Sequence, residues 1–177
     1  MKRIPQDPHW CRAPVGAGAC HPWLTDPGSL TARLQHRAGK ISVRVIFQGL
    51  RHANPDEHFL FGNRNARVHV REVLLMHGRT PLVFAHTVVA PASLRGSWRS
   101  VLGLGTRPLG AALFADPRIQ RYPLHQKKLS AAHPLHARAA AGISKAPASL
   151  WARRSIFASG GSPILVSEVF YPAVLRL

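Results

Sequence analysis

A chain of 177 residues with 46% hydrophobic but only 7% aromatic residues is long enough for one core and too short for two, and its 15 prolines and 14 glycines call for many turns between short elements while excluding a collagen-like repeat. No apolar run approaches the ~18 residues of a membrane span, and the opening MKRIPQDPHWCRAP lacks an apolar h-region, so membrane insertion and export are not expected and the chain is read as cytoplasmic. Against 7 Asp and Glu stand 24 Lys and Arg, a net charge of +17 that favours anionic partners; the arginines are scattered singly, with only Lys127-Lys128 and Arg153-Arg154 clustered, unlike a blocky nucleic-acid tail, so no obligate nucleic-acid partner is expected.

In chain order, residues 1–22 are rich in Pro, Gly and Ala and read as a poorly structured arm, laid over the domain or left loose, ahead of a single domain at 23–177. Ser29 is placed to cap a helix over 30–38 that carries Leu30 and Leu34 on one side, with Gly39 where a left-handed terminus is wanted. ISVRVIFQ (41–48) alternates with period 2 and predicts a strand, followed by a loop over 49–65. ARVHVREVLLM and PLVFAHTVVA, joined across His77-Gly78-Arg79-Thr80, predict an antiparallel hairpin. From 92 to 150 the Pro- and Gly-punctuated Ala/Leu/Arg pattern predicts short helices, one starting at Thr106 with Pro108 in its first turn. WARRSIFA and PILVSEVFYP flank Ser159-Gly160-Gly161-Ser162 and predict a second hairpin. The expected class is α+β: one antiparallel sheet of hairpins with short helices packed on one side.

Cys11 and Cys20 are too few for a disulfide scaffold and form no CxxC pair. Among 11 histidines the closest pair is His133 and His136, but Pro134 disrupts the helical spacing that would aim both at one ion, so no metal is expected. Glu168 shares a strand face with Ile164, Val166 and Phe170. Burying a carboxylate there costs several kcal/mol unless it is paired or protonated, which makes Glu168 either a general acid or base or half of a structural ion pair. Arg71 and Glu72 sit mid-strand on opposite faces; an inward Arg71 offers a planar fork to a carboxylate ligand, or forms a cross-strand salt bridge. There is no Ser–His–Asp or Cys–His arrangement.

The segments SLTARL (29–34), VREVLL (70–75), HTVVAP (86–91), RPLGAALF (107–114), WARRSIF (151–157) and PILVSEVFYPA (163–173) together resemble the chorismate pyruvate-lyases over about 145 of the 177 residues; residues 1–22 match poorly and 117–149 is longer than in some members. The resemblance implies an antiparallel sheet with helices on one side and an enclosed pocket. It also implies conversion of chorismate to 4-hydroxybenzoate and pyruvate at the first step toward ubiquinone, without metal or organic cofactor. By matched motif, Arg71 holds the ring carboxylate and Glu168, the catalytic candidate, meets the ring hydroxyl. Leu30 and Leu109 serve through backbone N–H groups, and Arg153 is a candidate second anion contact, unless Arg154 faces in instead. A non-catalytic small-molecule-sensing domain of the same fold, as in effector domains of transcription regulators, is the alternative.

Overall fold

In the computed structural model, which describes residues 4, 5 and 7–177, the period-2 runs are strands and the capped run is a helix. Helices α1 (His21–Thr25) and α2 (Leu30–Ala38) come first; the Ser29 hydroxyl accepts the Ala32 N–H at 3.4 Å and Gly39 leaves the helix at φ 74°, a region glycine enters without strain. Strand β1 (Ser42–His52) takes residues 49–52 from the expected loop, because its partner strand continues to supply hydrogen bonds beyond the apolar run. As an edge strand with a register shift between Val45 and Phe47, it leaves Val45, Ile46 and Leu50 exposed. A 3-10 turn (Pro55–Glu57) and the one-turn helix α3 (His58–Phe61) follow.

β2 (Arg67–His77) and β3 (Thr80–Val89) form the first hairpin. The expectation of short helices beyond it holds only in part. Two 3-10 segments (Pro91–Arg95 and Arg99–Gly103), α4 (Leu109–Ala115) and α5 (Pro134–Ala140) are helical, but β4 (Gln120–Arg121) and β5 (His125–Ser130) are strands. HQKKLS carries no apolar alternation; pairing with the next strand, not its own period, makes it extended. α4 begins at Leu109 rather than at Thr106, with Pro108 as the residue before its first turn. β6 (Ser149–Ser159) and β7 (Ser162–Phe170) close the second hairpin through Gly160 at φ 55° and Gly161 at φ 77°, the two positive values a type I′ turn demands.

All pairings are antiparallel, in the order β1-β2-β3-β7-β6-β4, with β5 also on β6. The result is a single α+β domain. On one face, Trp23, Leu24, Leu30 and Leu34 from α1 and α2 pack on Val73, Leu75, Val83 and Phe170, while α4 and the 3-10 segments pack on Val89, Phe157 and Ile164. On the other face, α5 and Trp10 lie on Leu74, Phe84 and Val169, and α3 flanks Val70, Val88 and Leu165. Burial on both faces explains why β2 shows no buried–exposed alternation. Residues 7–22 wrap from one face to the other around the sheet edge: Trp10 is buried on the far face, Cys11 pairs with Gln126 through N···O distances of 2.9 and 2.6 Å, and Ala17 joins the α1–α2 core. Residues 1–3 and 6 of the arm lie outside the described residues. No described helix is long and apolar enough to cross a membrane.

Candidate functional site

Strand register builds the site. Arg71 on β2 stands opposite Thr87 on β3, which faces Val166 on β7, which faces Ser155 on β6. Two residues along, Val73, Ala85, Glu168 and Arg153 form the next row on the same face. All eight line one cavity of about 600 Å³ of atom-free space, its mouth included, roofed by Leu30 and Thr31 of α2 and by Leu109, Gly110, Leu113 and Phe114 of α4. The two roof helices meet closely: a Cβ on Gly110 would stand 3.4 Å from the Ser29 hydroxyl oxygen. The structure thus brings Arg71, Glu168, Arg153, Leu30 and Leu109, separated by up to 138 positions in sequence, into one pocket.

Arg71 has no carboxylate within ion-pair distance among the described residues, so the expected cross-strand salt bridge is absent. At 2% exposure, its Nη2 donates to the carbonyls of Gly105 (2.9 Å) and Arg107 (3.2 Å), while its Nε is buried without a partner. Burial pulls its pKa below that of a free arginine, the signature of a desolvated cation lacking a counter-charge. The two carbonyls belong to the loop that leads into α4, so the Arg71 guanidinium also ties that loop to the sheet. Leu30 and Leu109 are the first residues of α2 and α4, where a backbone N–H has no carbonyl four residues back.

Glu168 is paired rather than isolated. Arg153 donates from Nε to its Oε2 at 2.5 Å, and Arg153 Nη1 donates to the carbonyls of Trp23 (3.1 Å) and Asp26 (2.8 Å). It is one partner of an ion pair, and with a side-chain exposure of 19% it also faces the cavity. Arg154 points to the opposite face, and the question of which arginine turns inward is answered for Arg153.

Arg121, on β4, is a pocket residue that sequence reasoning missed. Its Nε donates to the Ser155 hydroxyl at 3.1 Å, its Nη1 to the Pro27 carbonyl, and its guanidinium lies 5.2 and 5.3 Å from the ring centres of Phe114 and Phe157. Burial lowers its pKa, and the charge of nearby Arg153 lowers it further. The strand that carries Arg121 has two residues and no periodicity, so nothing in the sequence distinguished this arginine from the others.

The far face holds a separate polar network in the row Glu72, His86, Ser167 and Arg154. His86 lies 3.0 Å from both Glu72 and Glu57, and Arg154 contacts Asp7 at 3.2 Å and Asp56 at 2.9 Å. Glu72 also meets Arg51 and Arg138. With Asp26 on Arg33 and Asp116 on Arg118, every one of the 7 acids is engaged by a cation, which leaves the arginine excess to the surface and the pocket. His133 caps α5 by accepting the Leu135 N–H, and His136 contacts the Pro147 carbonyl, so the two histidines of HPLH serve different neighbours. Among the described residues no three His, Cys, Asp or Glu side chains converge as a metal site.

A family profile described as Chorismate lyase matches residues 10–176. Proteins described as probable chorismate pyruvate-lyase include one from Azoarcus sp. strain BH72, 50% identical over 161 residues (88% of this chain, 85% of that one). A second, from Nitrosomonas europaea, is 48% identical over 170 residues (95% and 96%), and a third, from Aromatoleum aromaticum, is 44% identical over 183 residues (100% and 99%). Among solved structures, a GntR-family transcriptional regulator from Bacillus cereus has a similar fold (TM-score 0.55, 11% identity, 75% of this chain and 92% of that one). So does the C-terminal domain of the histidine utilization repressor from Pseudomonas syringae (TM-score 0.51, 15% identity, 78% and 96%). At such identities the likeness concerns the fold alone.

Proposed function

The chain belongs to the chorismate lyase family, and from that premise we propose that it converts chorismate to 4-hydroxybenzoate and pyruvate in the pocket between the sheet and helices α2 and α4. The observation that carries this reading is a desolvated Arg71 without a counter-charge, two strands away from the pocket's only carboxylate. At ~4.8 Å per strand, the two Cα atoms are separated by roughly 10–12 Å, and side chains reaching inward from each leave room for a para-substituted benzoate between them.

In this reading the ring carboxylate sits on Arg71 Nε and on the N–H groups of Leu30 and Leu109, and the ring hydroxyl meets Glu168. The C3–O bond to the enolpyruvyl group and the C4–H bond break; the ring becomes aromatic, and the released enolate gains a proton to become pyruvate. Aromatisation makes the step intrinsically downhill, so orientation and charge matching are the main demands on the protein. Among the described residues Glu168 is the pocket side chain equipped to take up the C4 proton, since the other polar side chains lining it are Thr31, Thr87, Ser155 and three arginines. Arg153 positions Glu168 and ties it to the α1–α2 turn. Supply of the ubiquinone ring and independence of metal or organic cofactor belong to the same proposal and rest on the family resemblance; cytoplasmic placement belongs to it too and rests on the sequence reading alone. The sensing-domain alternative draws on the fold alone, whereas a base facing an anion clamp suits turnover.

The purified protein is expected to release 4-hydroxybenzoate, followed by absorbance, and pyruvate from chorismate with a chelator present. Activity abolished by chelation and restored by metal would remove the cofactor claim; folded protein that binds 4-hydroxybenzoate without turnover would move the reading to a sensor. Arg71→Ala is expected to weaken both chorismate and 4-hydroxybenzoate by about ten- to a hundredfold, the worth of a lost charge-assisted pair. Arg71→Lys, lacking the planar fork, should recover only part. Unchanged product affinity in Arg71→Ala, measured by calorimetry, would assign the ring carboxylate elsewhere.

A further inference from the structure

The charges lining the pocket do not balance. Arg71, Arg121 and Arg153 face it with Glu168 as the single carboxylate; the nearby Asp26 is occupied by Arg33 and by the Gly28 N–H. Arg153 and Glu168 neutralise each other through Arg153 Nε, and Arg153 Nη1 is taken by two backbone carbonyls. Two guanidinium groups are left over. They stand on strands β2 and β4, with β3, β7 and β6 between them, so the backbones are roughly 19 Å apart and the two side chains approach the cavity from opposite sides. Neither has a carboxylate within ion-pair distance among the described residues.

Arg121 is held in place before any ligand arrives. Ser155 and the Pro27 carbonyl take its Nε and Nη1, and the rings of Phe114 and Phe157 flank its guanidinium, while Nη2 has no hydrogen-bond partner among the described residues. A fixed, partly desolvated guanidinium beside a second one, with one carboxylate between two cations, is a place where an added anion relieves repulsion and loses little by immobilisation.

Resting on the lyase reading above, we propose that Arg121, not Arg153, contacts the enolpyruvyl carboxylate, and that the pocket recognises its substrate as a dianion with one carboxylate at each end and the ring hydroxyl at Glu168. Arg71 then serves substrate and aromatic product alike, because both keep the ring carboxylate. Arg121 serves only the substrate and pyruvate. Cleavage of the C3–O bond divides the dianion into two monoanions, each left with one arginine, so neither product retains the full clamp that held the substrate.

Two benzoates of nearly equal shape test this on the unmodified protein: 4-hydroxy-3-(carboxymethoxy)benzoate, which carries the second carboxylate, and 4-hydroxy-3-ethoxybenzoate, which does not. The first is expected to bind at least tenfold more tightly, and Arg121→Gln should bring the two within about threefold of each other while 4-hydroxybenzoate affinity changes little. In the same variant the KM for chorismate should rise tenfold or more with a smaller change in kcat, and Arg121→Lys should restore most of the difference. Equal affinities in the unmodified protein, or an undiminished preference in a folded Arg121→Gln, would overturn the assignment. If Arg121→Gln does not fold, the unmodified protein and Arg121→Lys decide. Failure of the lyase reading looks different: neither 4-hydroxybenzoate binding nor pyruvate release in the unmodified protein, which would sink both.

Discussion

Turnover of chorismate by Glu168→Gln is expected to fall by about 10²-fold or more while 4-hydroxybenzoate still binds, the usual size of a general-base contribution. The substitution keeps shape and an acceptor for the Arg153 Nε–H, so the contact at 2.5 Å survives as a neutral-acceptor bond and the α1–α2 turn stays tied to the sheet. What it removes is the proposed base, the one carboxylate among the described residues that line the pocket. The outcome separates three roles. A base loses kcat with KM and product affinity nearly intact. A group that only orients the hydroxyl loses little of either. A purely structural ion pair shows itself as a lowered unfolding midpoint with unchanged turnover per folded molecule. A glutamine variant with the turnover and product affinity of the unmodified protein would end the assignment of Glu168 to the chemistry.

How much of this was legible in the sequence depends on which hairpin is considered. In the second, the two-residue turn Gly160-Gly161 pairs Ser159 with Ser162, and the register runs unbroken to Arg153 opposite Glu168 and Arg154 opposite Ser167. The ion pair and the inward arginine were therefore readable from the turn and strand count alone, although motif and composition left the choice between Arg153 and Arg154 open. In the first hairpin His77 pairs with Thr80, and continuing that register would set Arg71 against His86; an irregularity between Leu75 and Met76 shifts the pairing so that Arg71 faces Thr87 and Glu72 faces His86. A one-residue shift decides which side chains share a face, and no local residue announces it. The helix at 30–38 was legible because its cap and its stop are both chemical signals, Ser29 and Gly39. β4 and β5 were not, since β6 confers their extended form, and with them went Arg121, whose place in the pocket depends on that pairing. Arg71 and Glu168 could be singled out because a charge amid an apolar period needs explaining; Arg121 sits in RIQRYPLHQ, a mixed run with no apolar period to interrupt, and needed none.

The far-face network should carry stability without touching the chemistry, and Arg154→Met is its sharpest test. Arg154 has a side-chain exposure of 1%, lies 4.1 Å from the Trp10 ring centre, donates to the Ser167 hydroxyl at 2.9 Å, and holds the carboxylates of Asp7 and Asp56. Methionine fills much of the volume but strands those carboxylates in a buried site. Removing one partner of such a pair costs about 3–5 kcal/mol, or roughly 6–20 °C in unfolding midpoint for a domain of this size. The cost should depend on pH with a definite sign. Burial would raise the pKa of Asp56, but the hydrogen bond from His133 and the charge of Arg154 outweigh it and hold the carboxyl below its usual 3.8; burial acts likewise on Glu57, and His86 and Arg154 hold it below 4.5. Depressed carboxyls stabilise the fold above their unfolded pKa values and lose that contribution as pH falls through the folded ones, so the deficit of Arg154→Met should be largest above pH 4.5 and shrink in more acidic solution as the stranded carboxyls protonate. His86 works in the opposite direction: burial lowers its pKa, but Glu57 and Glu72 outweigh that and raise it above 6.5, so its contribution is complete below 6.5 and fades as pH rises through the raised value, in variant and unmodified protein alike. Calorimetric unfolding across pH 3.5–8 reads both limbs. Because Arg154 lies on the face away from the pocket, chorismate turnover per folded molecule should stay unchanged; a variant with the unmodified midpoint and lost turnover would place Arg154, not Arg153, in the chemistry.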